Sequence, residues 1–151
     1  MNIRTHPTRR ITATLVVLAA VALSGCALFV SSYDTTNFEK LTSLKAYHLK
    51  FIDDFTEGKG KSFDRSALDK AADVGELKFR EAEEYAQGLH DQTRVTGVQN
   101  LHGRFTAHCN TLKRSNALFH EEFSKELRAE IGNNYDEAIK GEKVRPGAPG
   151  S

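Results

Sequence analysis

Tryptophan is absent, Met1 is the only methionine, and the only prolines are Pro7, Pro146 and Pro149. Axial methionine ligation is therefore excluded, and any core must come from Leu, Ala, Phe, Tyr, Ile and Val. No proline falls between Asp34 and Lys143, so nothing there removes a backbone N–H or clashes with a preceding helical turn. Cysteine is nearly as scarce. Cys26 and Cys109 are the only two, which excludes a disulfide-framed fold. Neither sign of charge dominates, with 21 Lys and Arg against 20 Asp and Glu. The charge balance gives no electrostatic case for nucleic acid as a partner, and no useful β-alternation follows Tyr33.

Motifs that carry chemistry are missing too. The chain has no Gly-x-Ser-x-Gly elbow, and Gly58-Lys59-Gly60-Lys61-Ser62 lacks P-loop spacing and reads as a solvated loop. A c-type haem needs Cys-x-x-Cys-His, which does not occur. The zincin motif fails because Ser124 stands where the second His after His120-Glu121 belongs. Di-iron bundles use Glu-x-x-His, but Lys45, Gln87, Gln99, Phe105 and Ala117 precede the histidines at that spacing. The carboxylate runs Glu81-Ala82-Glu83-Glu84 and Glu121-Glu122 read as solvated helix faces.

The first thirty residues are distinctive. Arg4, Arg9 and Arg10 precede Ile11 to Leu23, thirteen residues without charge. A basic start, a 7–15-residue apolar segment and small residues define a secretory signal peptide. As a helix the apolar segment covers about 20 Å, short of the roughly 30 Å hydrocarbon core. Leu23-Ser24-Gly25-Cys26 closes it and resembles the lipobox of bacterial lipoproteins, whose pattern is Leu, Ala or Ser, Gly or Ala, then Cys. All four positions match.

This resemblance implies lipid transfer to the Cys26 sulfur, recognition of Leu23, Ser24 and Gly25 by signal peptidase II, cleavage before Cys26 and acylation of the new amine. In such lipoproteins of Gram-negative bacteria, Asp after the cysteine favours the inner membrane. Ala27 stands there instead, which implies the periplasmic face of the outer membrane. An uncleaved anchor is the alternative, since Ile11 to Val30 is twenty residues without charge. Triacylation would hold the protein permanently, because one chain gives only marginal binding.

Residues 1–25 then form the signal peptide, 26–33 the lipidated cysteine and a tether, 34–143 the folded domain and 144–151 a disordered tail. Losing the three signal arginines leaves 18 basic and 20 acidic residues, a net charge of −2. The seven-residue spacer Ala27 to Tyr33 reaches at most about 23–25 Å, which keeps the domain beside its membrane. Leu28-Phe29-Val30 would either lie at the lipid interface or fold back on the domain. Lipidation leaves Cys109 as the only free thiol, either buried or paired with another chain.

Four amphipathic segments follow at helical spacing. The first is capped by Asp34, carries Leu41, Leu44, His48, Phe51, Ile52 and Phe55, and fails at Gly58-Lys59-Gly60. Ser62 or Asp64 caps the second, with Leu68, Ala71, Gly75, Phe79, Ala82, Ala86 and Leu89. After a weak stretch from Gly88 to Thr96, the third shows Val98, Leu101, Phe105, Cys109 and Leu112. Asn116 caps the fourth, where Phe119, Phe123, Leu127, Ile131, Tyr135 and Ile139 recur at four-residue steps. The fourth runs through Gly132-Asn133-Asn134 as a weakened helix, or ends at Gly132. These segments predict an all-α, up-down-up-down four-helix bundle after a cleaved lipoprotein signal peptide. A looser helical hairpin that dimerises is the runner-up.

The expected function is that of a non-enzymatic interaction module of the cell envelope. It would be held to the membrane by lipid on Cys26, carry no other cofactor and bind another envelope protein. One alternative is a metal or small-ligand site drawing on His48, His102, His108, Cys109 and His120. His102 and Cys109 share a helix face but lie about 10.5 Å apart in rise, so they cannot both bind one metal directly. A phage-derived lipoprotein that blocks a receptor or toxin is another alternative. Gln99, Asn100 and Asn116 read as an interhelical network or a contact surface.

Overall fold

Three aspartates start three helices. Asp34, Asp64 and Asp91 sit in extended backbone and accept from the N–H groups of Asn37, Ala67, and Thr93 with Arg94. Each cap of this kind contributes about 1 kcal/mol. A computed structural model describes residues 31–150. Its helices are α1 (Thr35–Asp54), α2 (Arg65–Gly88), α3 (Gln92–Ser115) and α4 (Glu121–Lys143). His120 precedes α4 and makes no side-chain cap, but Glu121 and Glu122 in the first turn and Lys140 and Lys143 in the last complement the helix dipole.

Short connections turn successive helices back on one another to form a four-helix bundle. α2 packs most extensively on α3 and α1 on α4, α1 and α2 meet less, and α3 and α4 less still. At one end the α1–α2 and α3–α4 connections pair. The Glu57 N–H donates to the Phe119 carbonyl at 2.8 Å, and the Phe119 N–H donates to the Phe55 carbonyl at 2.9 Å. Beneath them the buried Thr56 hydroxyl meets Ser124 Oγ at 2.8 Å.

The interior is rich in rings. Phe105 touches Phe51, Phe79, His48 and Tyr47, with centroid separations between 4.9 and 6.0 Å. Gly75 makes room for it. A Cβ there would lie 2.2 Å from Phe105 Cζ and 3.0 Å from Tyr47 Cε1. The Tyr47 hydroxyl fastens the same spot by donating to the Ala71 carbonyl.

Several expectations are corrected. α3 begins at Gln92, ahead of the expected Val98, because Asp91 caps it. Asn116 ends α3 in the left-handed region (φ 50°) and does not start α4. Asn tolerates that conformation better than most residues. Phe123 is 46% exposed, and Ser124 is buried in its place. A strict four-residue step drifts about 40° per step from the 3.6-residue helix, so Phe123 and Ile139 cannot share one face. As its spacing predicts, α4 is continuous through Gly132-Asn133-Asn134 and does not end at Gly132. The expected disordered tail folds back through residue 150: the Tyr33 N–H donates to the Pro146 carbonyl at 2.9 Å, and Ala148 is buried.

No described helix is long and apolar enough to cross a membrane. The signal peptide and the Leu23-Ser24-Gly25-Cys26 motif lie outside the described residues.

Candidate functional site

The five candidate ligands separate into four environments. His48 on α1 is 1% exposed. Its Nε2 lies 2.9 Å from His108 Nδ1 on α3, and its Nδ1 lies 3.3 Å from the Tyr135 hydroxyl on α4. Neutral imidazole offers one donor and one acceptor, so uncharged His48 satisfies both contacts. Burial, reinforced by neighbouring His108, pushes its pKa down to about 3. Burial also lowers His108, and it raises the Tyr135 hydroxyl beyond its usual range.

His102 occupies the α2–α3 seam. Its Nε2 lies 2.7 Å from Glu76 Oε2 and its Nδ1 2.6 Å from Glu83 Oε1. The ring stacks on Phe79 at 4.9 Å with a 3° interplanar angle. Burial opposes protonation, but hydrogen bonds and charge from the two glutamates outweigh it, so the His102 pKa is raised.

Cys109 is buried, and burial lifts its thiol to about 12, which leaves it a poor nucleophile or ligand near neutrality. His120 is 84% exposed and pairs with Glu57 at 2.7 Å. The structure thus brings His48 to His108 and keeps His102, Cys109 and His120 apart from that pair. Among the described residues, no group of three or more His, Cys, Asp or Glu side chains is placed to hold a metal ion.

Polar chemistry is concentrated at the end of the bundle where α1 begins and α4 stops. Arg94 is buried, and its Nε donates to Glu142 Oε2 at 3.0 Å while its Nη2 donates to Glu142 Oε1. The same Nη2 donates to the Ser32 carbonyl at 2.7 Å. Asn37 and the Asp34 N–H also donate to Glu142, and the Tyr85 hydroxyl donates to Asp34. Burial opposes ionisation of Glu142, but these donors prevail and hold its pKa below the usual carboxylate value.

Next to this clasp the weakly packed α3–α4 seam opens into a groove of about 670 Å³. Leu41 from α1 contributes to its lining. α3 adds Thr93, Gly97, Val98, Asn100, Leu101 and Arg104, and α4 adds Asn134, Glu137, Ala138 and Gly141. The Arg94–Glu142 pair bounds one end, and Arg104, paired across the seam with Glu130, bounds the other. The two arginines are ten positions apart on α3, so the groove is about 15 Å long. Asn134 Nδ2 is buried there without a hydrogen-bond partner. A Cβ at Gly97 or Gly141 would meet nothing within 4 Å.

Of the residues read as a polar network, Asn100 lines the groove, Gln99 is exposed and Asn116 caps α3. Asn134, Glu137 and the two groove glycines drew no functional reading from the sequence. The usable signal was Gly97, Asn100 and Arg104 at helical spacing on α3 and Asn134, Ala138 and Gly141 on α4.

No protein-family model matches the chain, and no curated protein or solved structure is significantly similar to it. The class defined by the described residues is therefore that of an all-α four-helix bundle.

Proposed function

We propose that this chain is a lipid-anchored module of the bacterial cell envelope that acts by binding an envelope protein, without catalysis. The groove between α3 and α4 carries the reading. It is an open recess with an apolar floor and a few convergent polar groups, the character expected of a binding site. Anchorage rests on the lipobox resemblance at Leu23-Ser24-Gly25-Cys26, with Ala27 favouring the outer membrane. Five residues separate Cys26 from Ser32, a covalent reach of about 20 Å, so a partner must be accessible close to the bilayer.

Two measurements test the proposal. Labelled palmitate should enter the full chain in cells, and Cys26→Ala should abolish labelling and release the protein from membranes. A photo-crosslinking residue in place of Asn100 should capture an envelope protein. Capture of none would overturn the binding role, and palmitate labelling that survives Cys26→Ala would overturn the anchor.

A further inference from the structure

We infer that the α3–α4 groove receives an extended peptide segment of about four or five residues that carries a basic side chain. The inference rests on the reading above that the bundle binds a protein, and it adds the chemistry of the bound segment.

Length and width select an extended chain. The two interhelical ion pairs bound a groove about 15 Å long, and an extended residue spans about 3.3 Å. A helix with its side chains is about 10 Å across, so 15 Å of helix would displace about 1,200 Å³. That is nearly twice the 670 Å³ of the groove.

Hydrogen bonding selects a peptide backbone. Asn134 has a buried amide nitrogen without an acceptor, and Asn100 presents a second amide from the opposite helix. A peptide unit offers a carbonyl and an N–H, the complement of a side-chain amide. Leu41, Val98 and Leu101 offer an apolar side chain a place to bury.

Charge selects a basic segment. The guanidinium of Arg94 is engaged by Glu142 and that of Arg104 by Glu130, and Arg145 lies 2.7 Å from Asp91. Glu137 lines the groove with no ion pair among the described residues. The uncompensated charge facing an incoming segment is negative.

The test uses the full chain in detergent and two fluorescent probes, acetyl-Ala-Leu-Ala-Lys-Ala-amide and the same peptide with Glu for Lys. Fluorescence anisotropy should show saturable binding of the Lys peptide, at least tenfold tighter than the Glu peptide. Asn134→Leu should weaken binding about tenfold, and Glu137→Lys should reverse the charge preference. The double variant Gly97→Leu with Gly141→Leu should abolish binding. Its added side chains start in open space on helices, so its melting temperature should stay at or above that of the parent.

Three results would each overturn the inference: no saturable binding of the Lys peptide, equal binding of both peptides, or full binding by the folded double variant. If the double variant still captures an envelope protein through a crosslinker placed outside the groove, the partner docks elsewhere and only the peptide inference fails. If the Lys peptide binds but no envelope protein is captured, the envelope reading fails and the peptide site stands.

Discussion

His48 on α1 and His102 on α3 are linked by a run of rings from His48 through Phe105 and Phe79. Their electrostatics are opposite. His48 is enclosed by Phe105, His108 and Tyr135, so no carboxylate compensates its protonation. His102 is flanked on both ring nitrogens by glutamates. Burial disfavours charge at both sites, and a pair of well-placed partners reverses the outcome at only one. An imidazole in a helical bundle thus takes its role from the neighbours that face it.

The largest expected effect comes from removing the link between the two regions. Phe105→Ala should cost about 3–5 kcal/mol, as expected for a buried aromatic, measured by urea unfolding. It should also erode the pH behaviour of both histidines. A loss below about 1 kcal/mol would show that Phe105 does not couple them.

Acid should weaken the protein next most strongly. His48 has a depressed folded pKa, so its contribution is full above the unfolded value near 6.5 and is lost as pH falls toward about 3. The expected slope is about 1.4 kcal/mol per pH unit. Comparing parent and His48→Gln between pH 7.5 and pH 4.5 isolates it, because Gln can bond to both Tyr135 and His108. Equal slopes would remove His48 as the cause.

Gly75→Ala should cost about 1–3 kcal/mol by overpacking, since the new Cβ meets a Phe105 ring held on several sides. It should broaden or shift the Phe105 and His48 resonances together. Unchanged stability would mean that the ring yields freely.

The smallest effect belongs to His102. Its folded pKa is raised, so its contribution is full below about 6.5 and is lost as pH rises through the folded value. His102→Gln should cost under about 1 kcal/mol at pH 6, because the site is partly solvated. The difference should vanish at pH 9 and shrink in high salt. A constant difference across that range would show that packing on Phe79, not charge, is what His102 contributes.

The apolar stripes were legible because each needs only its own helix. Leu41, Leu44, Phe51, Ile52, Val98, Leu101, Phe105 and Leu112 are all buried as their spacing requires. Phe123 was misplaced for a geometric reason, the drift of a four-residue step around a 3.6-residue helix, while Ile139 is half-buried against the core. Glu83 sits in a run that reads as solvated, yet it shares a face with Glu76 and Phe79 and turns onto His102. The spacing was visible, but the partner on α3 was not. Arg94 and Glu142 are 48 positions apart, and no local pattern joins residues at that distance. The small and polar faces of α3 and α4 are visible in the spacing, but that they pack weakly enough to leave a groove is a property of the assembled bundle and not of either helix.

The clasp at Arg94 also gives the bundle a load path. A pull on the chain at Ser32 meets the Arg94 guanidinium on α3 and, one residue later, the Pro146 carbonyl just beyond α4. Tension applied there is therefore shared among three helices and does not fall on the first turn of α1 alone. Under the anchorage proposed at Cys26, this would brace the domain against force transmitted through its N-terminus.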